Sequence, residues 1–258
     1  MDEKGFLQGF AHAVKRIMTR KEYDSGRVRS NRQDGSREFI TLIAAICADG
    51  TPIPPALIYK GASGDLIDSW VDDIGAGDEA FFSSSPTGWS NNEFGLEWLR
   101  KCFHLSTIAK AEKARYRRLL VVDGYFLHVN MAFLDTYDQL RIILLILPPR
   151  TTHRLQPLDV GLFGPLASYY SFEINELMRK SGGLVQFTKR TFWGCFKRAW
   201  EKAFCATNIE SAFTKTGYWP FDLTKVVDLI TPRPITPPIT SSSLPLKTPK
   251  ISKAIRRF

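Results

Sequence analysis

The chain has 258 residues, of which 44% are apolar and 12% aromatic, so it can bury a sizeable core. No stretch approaches the ~20 apolar residues of a membrane span, and "MDEKGFLQGF" lacks the layout of a secretory signal, so a soluble intracellular chain is expected. Scattered histidines and cysteines exclude zinc-site spacing and point to four free buried thiols, while a formal charge of +9 suggests a polyanionic partner.

In chain order, an early segment is crowded with cations: Lys15, Arg16, Arg20, Lys21, Arg27, Arg29 and Arg32. It reads either as a solvated surface or as a phosphate-facing one. Next, "EFITLIAAICA" and "PIPPALIYKG" flank Asp49-Gly50, the pattern of a hairpin. The prolines at 52, 54 and 55 imply that the second strand starts late or lies at an edge. Residues 62–89, rich in Gly, Asp and Ser, read as irregular. Ser90 with Glu93 has the form of a capping box opening a helix, with Phe94, Trp98, Cys102 and Leu105 as its apolar stripe.

A second basic group, Arg115, Arg117 and Arg118, precedes the apolar run Leu119 to Val122. "VNMAFLDTYDQL" predicts a short helix, and "RIILLILPP" a second buried strand stopped by Pro148 and Pro149. Two such strands joined by a helix form a parallel β-α-β unit. Residues 158–217 are mostly helical, with Gly182-Gly183 dividing two amphipathic stretches and Gly217 ending a third. Trp219-Pro220-Phe221 reads as a packing anchor. From residue 231 onward Pro, Ser and basic residues dominate, the composition of a disordered basic tail.

Two acids stand out in this layout. Asp123 ends the strand "LLVV", where ligands of parallel sheets gather. Asp-Gly is also an ordinary turn. Asp159 lies in "LQPLD", entering a helix, either as a site residue or as an N-cap. Asp2 stands at the front of the chain. Carboxylates about 4 Å apart repel by roughly 4 kcal/mol at an effective dielectric of 20. Convergence therefore calls for a shared proton or a cation, and an all-oxygen set suits Mg²⁺ or Mn²⁺. No Gly-rich phosphate loop supports a small-molecule phosphohydrolase.

"DEKGF", "DGTPIPPALIYKG", "GWSNNEFGLEWL", "LLVVDGYFLH", "LPPRTTHRLQPLDVGLFGPL" and "AFTKTGYWPFD" occur in the order seen in DDE superfamily endonucleases. The wording resembles the pogo branch of mariner-like transposases, fungal type, over residues 2–222. The resemblance implies an α/β, RNase H-like fold: a mixed β-sheet flanked by helices. It implies that Asp2, Asp123 and Asp159 are catalytic and hold two Mg²⁺ (or Mn²⁺) ions, with His128 in support. Lys60, Arg150, His153 and Arg154 are the expected nucleic-acid-binding residues. The implied reaction is hydrolytic nicking of DNA at transposon ends, then strand transfer by the freed 3′-hydroxyl. DNA is the implied partner, a homodimer and a nuclear location are expected, and no membrane or small-molecule cofactor is.

The sequence departs from that pattern in three ways. Asp2 stands at the head of the chain, so the first strand of the fold is expected to be truncated. "DGYFLH" carries Tyr125 and Leu127 where relatives have polar residues. A helix-turn-helix ahead of the domain, usual in that family, is not expected from these residues. The alternative reading is an inactive, domesticated or decayed transposase domain acting in nucleic-acid or protein binding. The expected organisation is a catalytic domain over 1–222 and a Pro/Ser-rich basic tail over 223–258.

Overall fold

A computed structural model describes residues 1–7, 20, 38–112, 115–124, 131–182, 185 and 187–227. The early basic segment apart from Arg20, His128, and the tail from 228 onward lie outside the described residues.

Strands β1 (Asp2–Leu7), β2 (Phe39–Ala44), β3 (Ala56–Lys60) and β4 (Phe81–Ser85) form one mixed sheet in that order. β1 and β3 each pair antiparallel with β2, and β4 runs parallel to β3. The hairpin across Asp49-Gly50 is present. Gly50 adopts a φ of 85°, and its N–H donates to the Cys47 carbonyl at 3.1 Å. The prolines delay β3 to Ala56 as expected, but β3 is an interior strand of the sheet, not an edge. β4 lies within the stretch read as irregular. Its serine-rich half, Ser83 to Ser85, hides the strand pattern.

A second pair, β5 (Arg118–Val122) and β6 (Ile142–Ile146), is parallel and linked by a helix, as the sequence predicts. β1, expected to be truncated, is six residues long and fully paired with β2. It meets β5 through the Met1 amine, which donates to the Val121 carbonyl at 2.9 Å.

We number the helices from the N-terminal side. α1 begins as Asn92–Glu97, continues as π-helical Trp98–His104 and ends as Leu105–Thr107. α2 is Met131–Gln139 and α3 is the single turn Thr152–Leu155. A π turn, Leu158–Leu162, leads into α4 (Phe163–Lys180). α5 (Lys189–Ala203), α6 (Ala206–Lys215) and the short α7 (Thr224–Val227) follow.

Alternation along the strands splits the core in two. Phe6, Ile40, Leu42, Leu57 and Tyr59 pack on α4 and α5 through Tyr170, Phe192, Phe196 and their neighbours. Ile43, Ala56 and Ile58 face the other way, onto Trp98, Leu99 and Phe103 of α1, with Leu120, Val122 and Phe133. The result is the expected RNase H-like arrangement, a mixed sheet between helical layers.

Several local expectations change. Asn91, not Ser90, caps α1: its side chain accepts the Phe94 N–H at 2.9 Å. The apolar stripe keeps Trp98 and Cys102 but then moves to Phe103, leaving Leu105 64% exposed. The π-helical turn explains this, since its extra residue per turn rotates the following side chains. β6 is not buried on both faces, because Ile143, Leu145 and Ile146 are exposed. Trp219 and Phe221 are exposed too, so they are not a packing anchor. Of the four cysteines, Cys102 and Cys195 are buried, Cys47 is half-buried and Cys205 is exposed; all are free thiols.

Candidate active site

Asp2 is placed by β1, whose alternation puts Asp2, Lys4 and Phe6 on the face packed by α4 and α5. Phe6 anchors that face in an edge-to-face aromatic cluster with Tyr170 and Phe196. Asp123 follows the last residue of β5, at the C-terminal edge expected for it. Asp159 sits in the π turn entering α4; Pro157 occupies the cap position, so the N-cap reading of Asp159 is set aside.

The three acids share one electrostatic neighbourhood. Asp2 is buried, and burial, then Asp159 and Asp123, push its carboxyl up to about 7. The Glu3 N–H donates to Asp2 Oδ1 at 2.7 Å and partly opposes the rise. Asp159 is exposed, yet partial desolvation raises it as well, with Asp123 adding to the rise; Lys4 and His153 pull it down. Of two interacting carboxylates, the more buried one keeps the proton. That one is Asp2, whose carboxyl is the one raised to about 7.

Two further contacts hold the acids in register. Gln156 is fully buried, and its Nε2 donates to the Met1 carbonyl at 2.7 Å. This ties the turn carrying Asp159 to the residue before Asp2. On the other face of β1, Ser90 Oγ donates to Glu3 Oε1 at 2.6 Å and lies 2.8 Å from Oε2. Neither Gln156, Lys4 nor Glu3 stands out in the sequence. Only the period-two pattern of "DEKGF" hints that Lys4 shares a face with Asp2.

Of the expected nucleic-acid-binding residues, His153 in α3 is close enough to Asp159 to lower its pKa. Arg154 follows it in the same turn, and Arg150 is exposed in the preceding loop with a φ of 64°. Lys60 is not beside the acids. It ends β3, beyond the level of Ile40, while Asp2 pairs with Ala44. Four residues separate those levels, about 13 Å along the strand, with two strand spacings across. The Arg115, Arg117 and Arg118 group is not a free basic surface either. Arg115 pairs with Glu112 and Arg117 with Asp138. Arg118 is buried and donates to Thr107 Oγ1 at 2.9 Å and to the Leu140 carbonyl.

An apolar cleft of about 430 Å³ lies between Ala45 to Ala48 and β5, walled by Phe213, Tyr218 and Trp219; none of the three acids lines it. Among the described residues, no three His, Cys, Asp or Glu side chains are grouped so as to hold one ion. Asp2 instead interacts with Asp159 and with Asp123. Mg²⁺ is commonly held by one or two carboxylates, with waters and substrate phosphates completing its shell. The all-oxygen donors and the raised Asp2 carboxyl fit that mode.

Comparison with known proteins agrees with the fold. DDE superfamily endonucleases match residues 36–213, a span that contains Asp123 and Asp159 but not Asp2. A protein of Cochliobolus lunatus named "MFS-type transporter clz9" is 33% identical over 223 residues, 85% of this chain. The chain spans 23% of that relative's length. Among the described residues no helix is long and apolar enough to cross a membrane. No solved structure matches. With more than half of its length matched to one family, the chain belongs to the DDE superfamily endonucleases.

Proposed function

We propose that this domain cuts and joins DNA phosphodiesters as a transposase of the pogo branch. The reading is supported by Asp2 of β1 lying within electrostatic reach of both Asp123, after β5, and Asp159, in the turn before α4, which help raise its carboxyl to about 7. Asp2 with Asp159, and Asp2 with Asp123, would hold Mg²⁺ or Mn²⁺. Such ions, when bound, supply an activated water or 3′-hydroxyl and charge stabilisation for the leaving oxygen. Lys4 moderates the charge on Asp159, and Gln156 keeps the two carboxylates in register. His153, which acts on the Asp159 carboxyl, together with Arg154 and Arg150 of the same segment would hold backbone phosphates of DNA. Action on nuclear DNA as a homodimer completes the reading.

The test is nicking of supercoiled plasmid by the purified chain with Mg²⁺ or Mn²⁺. Wild type nicks, whereas Asp123→Ala and Asp159→Ala lose activity by at least 10³-fold. Absence of cutting with either metal sinks the catalytic reading. The second reading, an inactive DNA-binding domain, is favoured by the absence of a three-ligand group among the described residues. It requires salt-sensitive DNA binding that ignores both Mg²⁺ and Asp123→Ala.

A further inference from the structure

The acids occupy one end of β1 and leave unexplained an aromatic pair further along the other face of the sheet. There, α1 covers Ile43, Ala56 and Ile58, while Phe39 lies outside that cluster. The loop 86–90 lies across that upper part. Trp89 stacks on Phe39 with centroids 5.9 Å apart and planes 28° from parallel. Trp89 is nonetheless 54% exposed and Phe39 38% exposed. A stacked pair this exposed is not core packing.

The loop is built to hold that indole in place. Thr41 Oγ1 donates to the Gly88 carbonyl at 2.7 Å, and the Gly88 N–H donates to Ser85 Oγ at 2.9 Å. Ser85 Oγ donates to the Trp89 carbonyl at 3.0 Å, and Ser90 is tied to Glu3. Gly88 has a φ of 77°, and a Cβ there would lie 3.0 Å from the Phe39 carbonyl oxygen and 3.1 Å from Lys60 Cβ. Lys60 therefore borders the pair, exposed and with no ion pair among the described residues.

We propose that Trp89, stacked on Phe39 and flanked by Lys60, is a platform on which an unpaired DNA base stacks while Lys60 takes its phosphate. The chemistry is that of single-strand recognition, where aromatic faces accept any base and a cation tracks the backbone. A protein partner would call for a broader apolar patch; this one is two rings bordered by Lys60. Phe39 pairs with Leu7, five residues along β1 from Asp2, about 17 Å. This inference rests on DNA being the substrate, and it gives Lys60, expected to bind nucleic acid, a place in that binding.

The test uses the full chain and a single-stranded oligonucleotide carrying 2-aminopurine, in EDTA, so that binding is read without chemistry. Wild type quenches the probe. Trp89→Ala removes the quenching and weakens binding about tenfold, while Trp89→Phe stays within about threefold of wild type. Lys60→Ala, at an exposed position, weakens binding and lowers the salt slope by about one. Quenching and affinity unchanged in Trp89→Ala overturn the proposal, as does wild type that fails to bind the oligonucleotide. Should Trp89→Ala not fold, Lys60→Ala with an unchanged salt slope overturns it. Loss of nicking in Asp123→Ala with quenching intact separates the platform from the catalytic site.

Discussion

Asp2 shows at the scale of one residue how position changes chemistry. In an unfolded chain its carboxyl ionises near 3.8, whereas burial and its acidic neighbours raise it to about 7. A raised carboxyl favours folding below the unfolded pKa, and that advantage is lost as pH rises through the folded one. The metal-free protein should therefore lose stability between about pH 4 and 7. Asp2→Asn should flatten that dependence and add on the order of 2–4 kcal/mol at pH 8, read from denaturant melts with EDTA. Mg²⁺ should raise the melting temperature of wild type but much less that of Asp2→Asn. Glu173 is the opposite case: burial raises it, but bonds from Lys202 Nζ and Arg198 Nε, each 2.6 Å, prevail and its carboxyl is lowered. Its contribution is present above the unfolded pKa and disappears as pH falls through the folded one. Asp123 and Asp159 were legible in the sequence because each ends or opens an element. Gln156 was not, since nothing in "LQPLD" says that its amide is buried against the Met1 carbonyl.

Elements carry the next layer of control, and their irregular turns matter most. Asp159 belongs to a π turn in which Gly161 faces α6 so closely that a Cβ would lie 2.5 Å from Ala212 Cβ. Gly161→Ala should destabilise the domain by about 1–3 kcal/mol through overpacking. Because the same turn carries Asp159, the variant should also shrink the Mg²⁺-induced rise in melting temperature. Differential scanning calorimetry with and without Mg²⁺ checks both effects. At the end of α6, Gly217 has a φ of 70°, and a Cβ would come 2.2 Å from the Asp222 carbonyl oxygen. Gly217→Ala should destabilise by more than about 1 kcal/mol, measured by urea unfolding. The β-α-β unit was readable as two apolar runs with a helix-length connector. The π turns were not, because helical spacing in a sequence assumes 3.6 residues per turn. That assumption placed Leu105 in the core, and the structure places Phe103 there instead.

For the whole molecule, the sheet divides the apolar side chains into two clusters that do different work. The cluster under α4 and α5 supports the face bearing Asp2 and Lys4. Phe192, fully buried at its centre, should cost about 3–5 kcal/mol when replaced by Ala, seen as a lower urea midpoint. The cluster under α1 and α2 holds β5, and with it Asp123, against the sheet. With a formal charge of +9, DNA affinity should fall steeply between 50 and 200 mM salt, measured by fluorescence anisotropy.

The sequence by itself determined the class of fold, the order of most strands and helices, and the acids at strand and helix boundaries. Those features follow from local patterns: apolar periodicity, turn-forming Asp-Gly and delaying prolines act within a few residues of each other. Tertiary structure alone decided which acid has the raised carboxyl and that Arg118 is an internal brace. Each of those outcomes depends on burial and on partners far away in the chain, as between Met1 and Gln156 or between Glu3 and Ser90. Charge type is written in a residue, but its pKa and reach come from the packing around it.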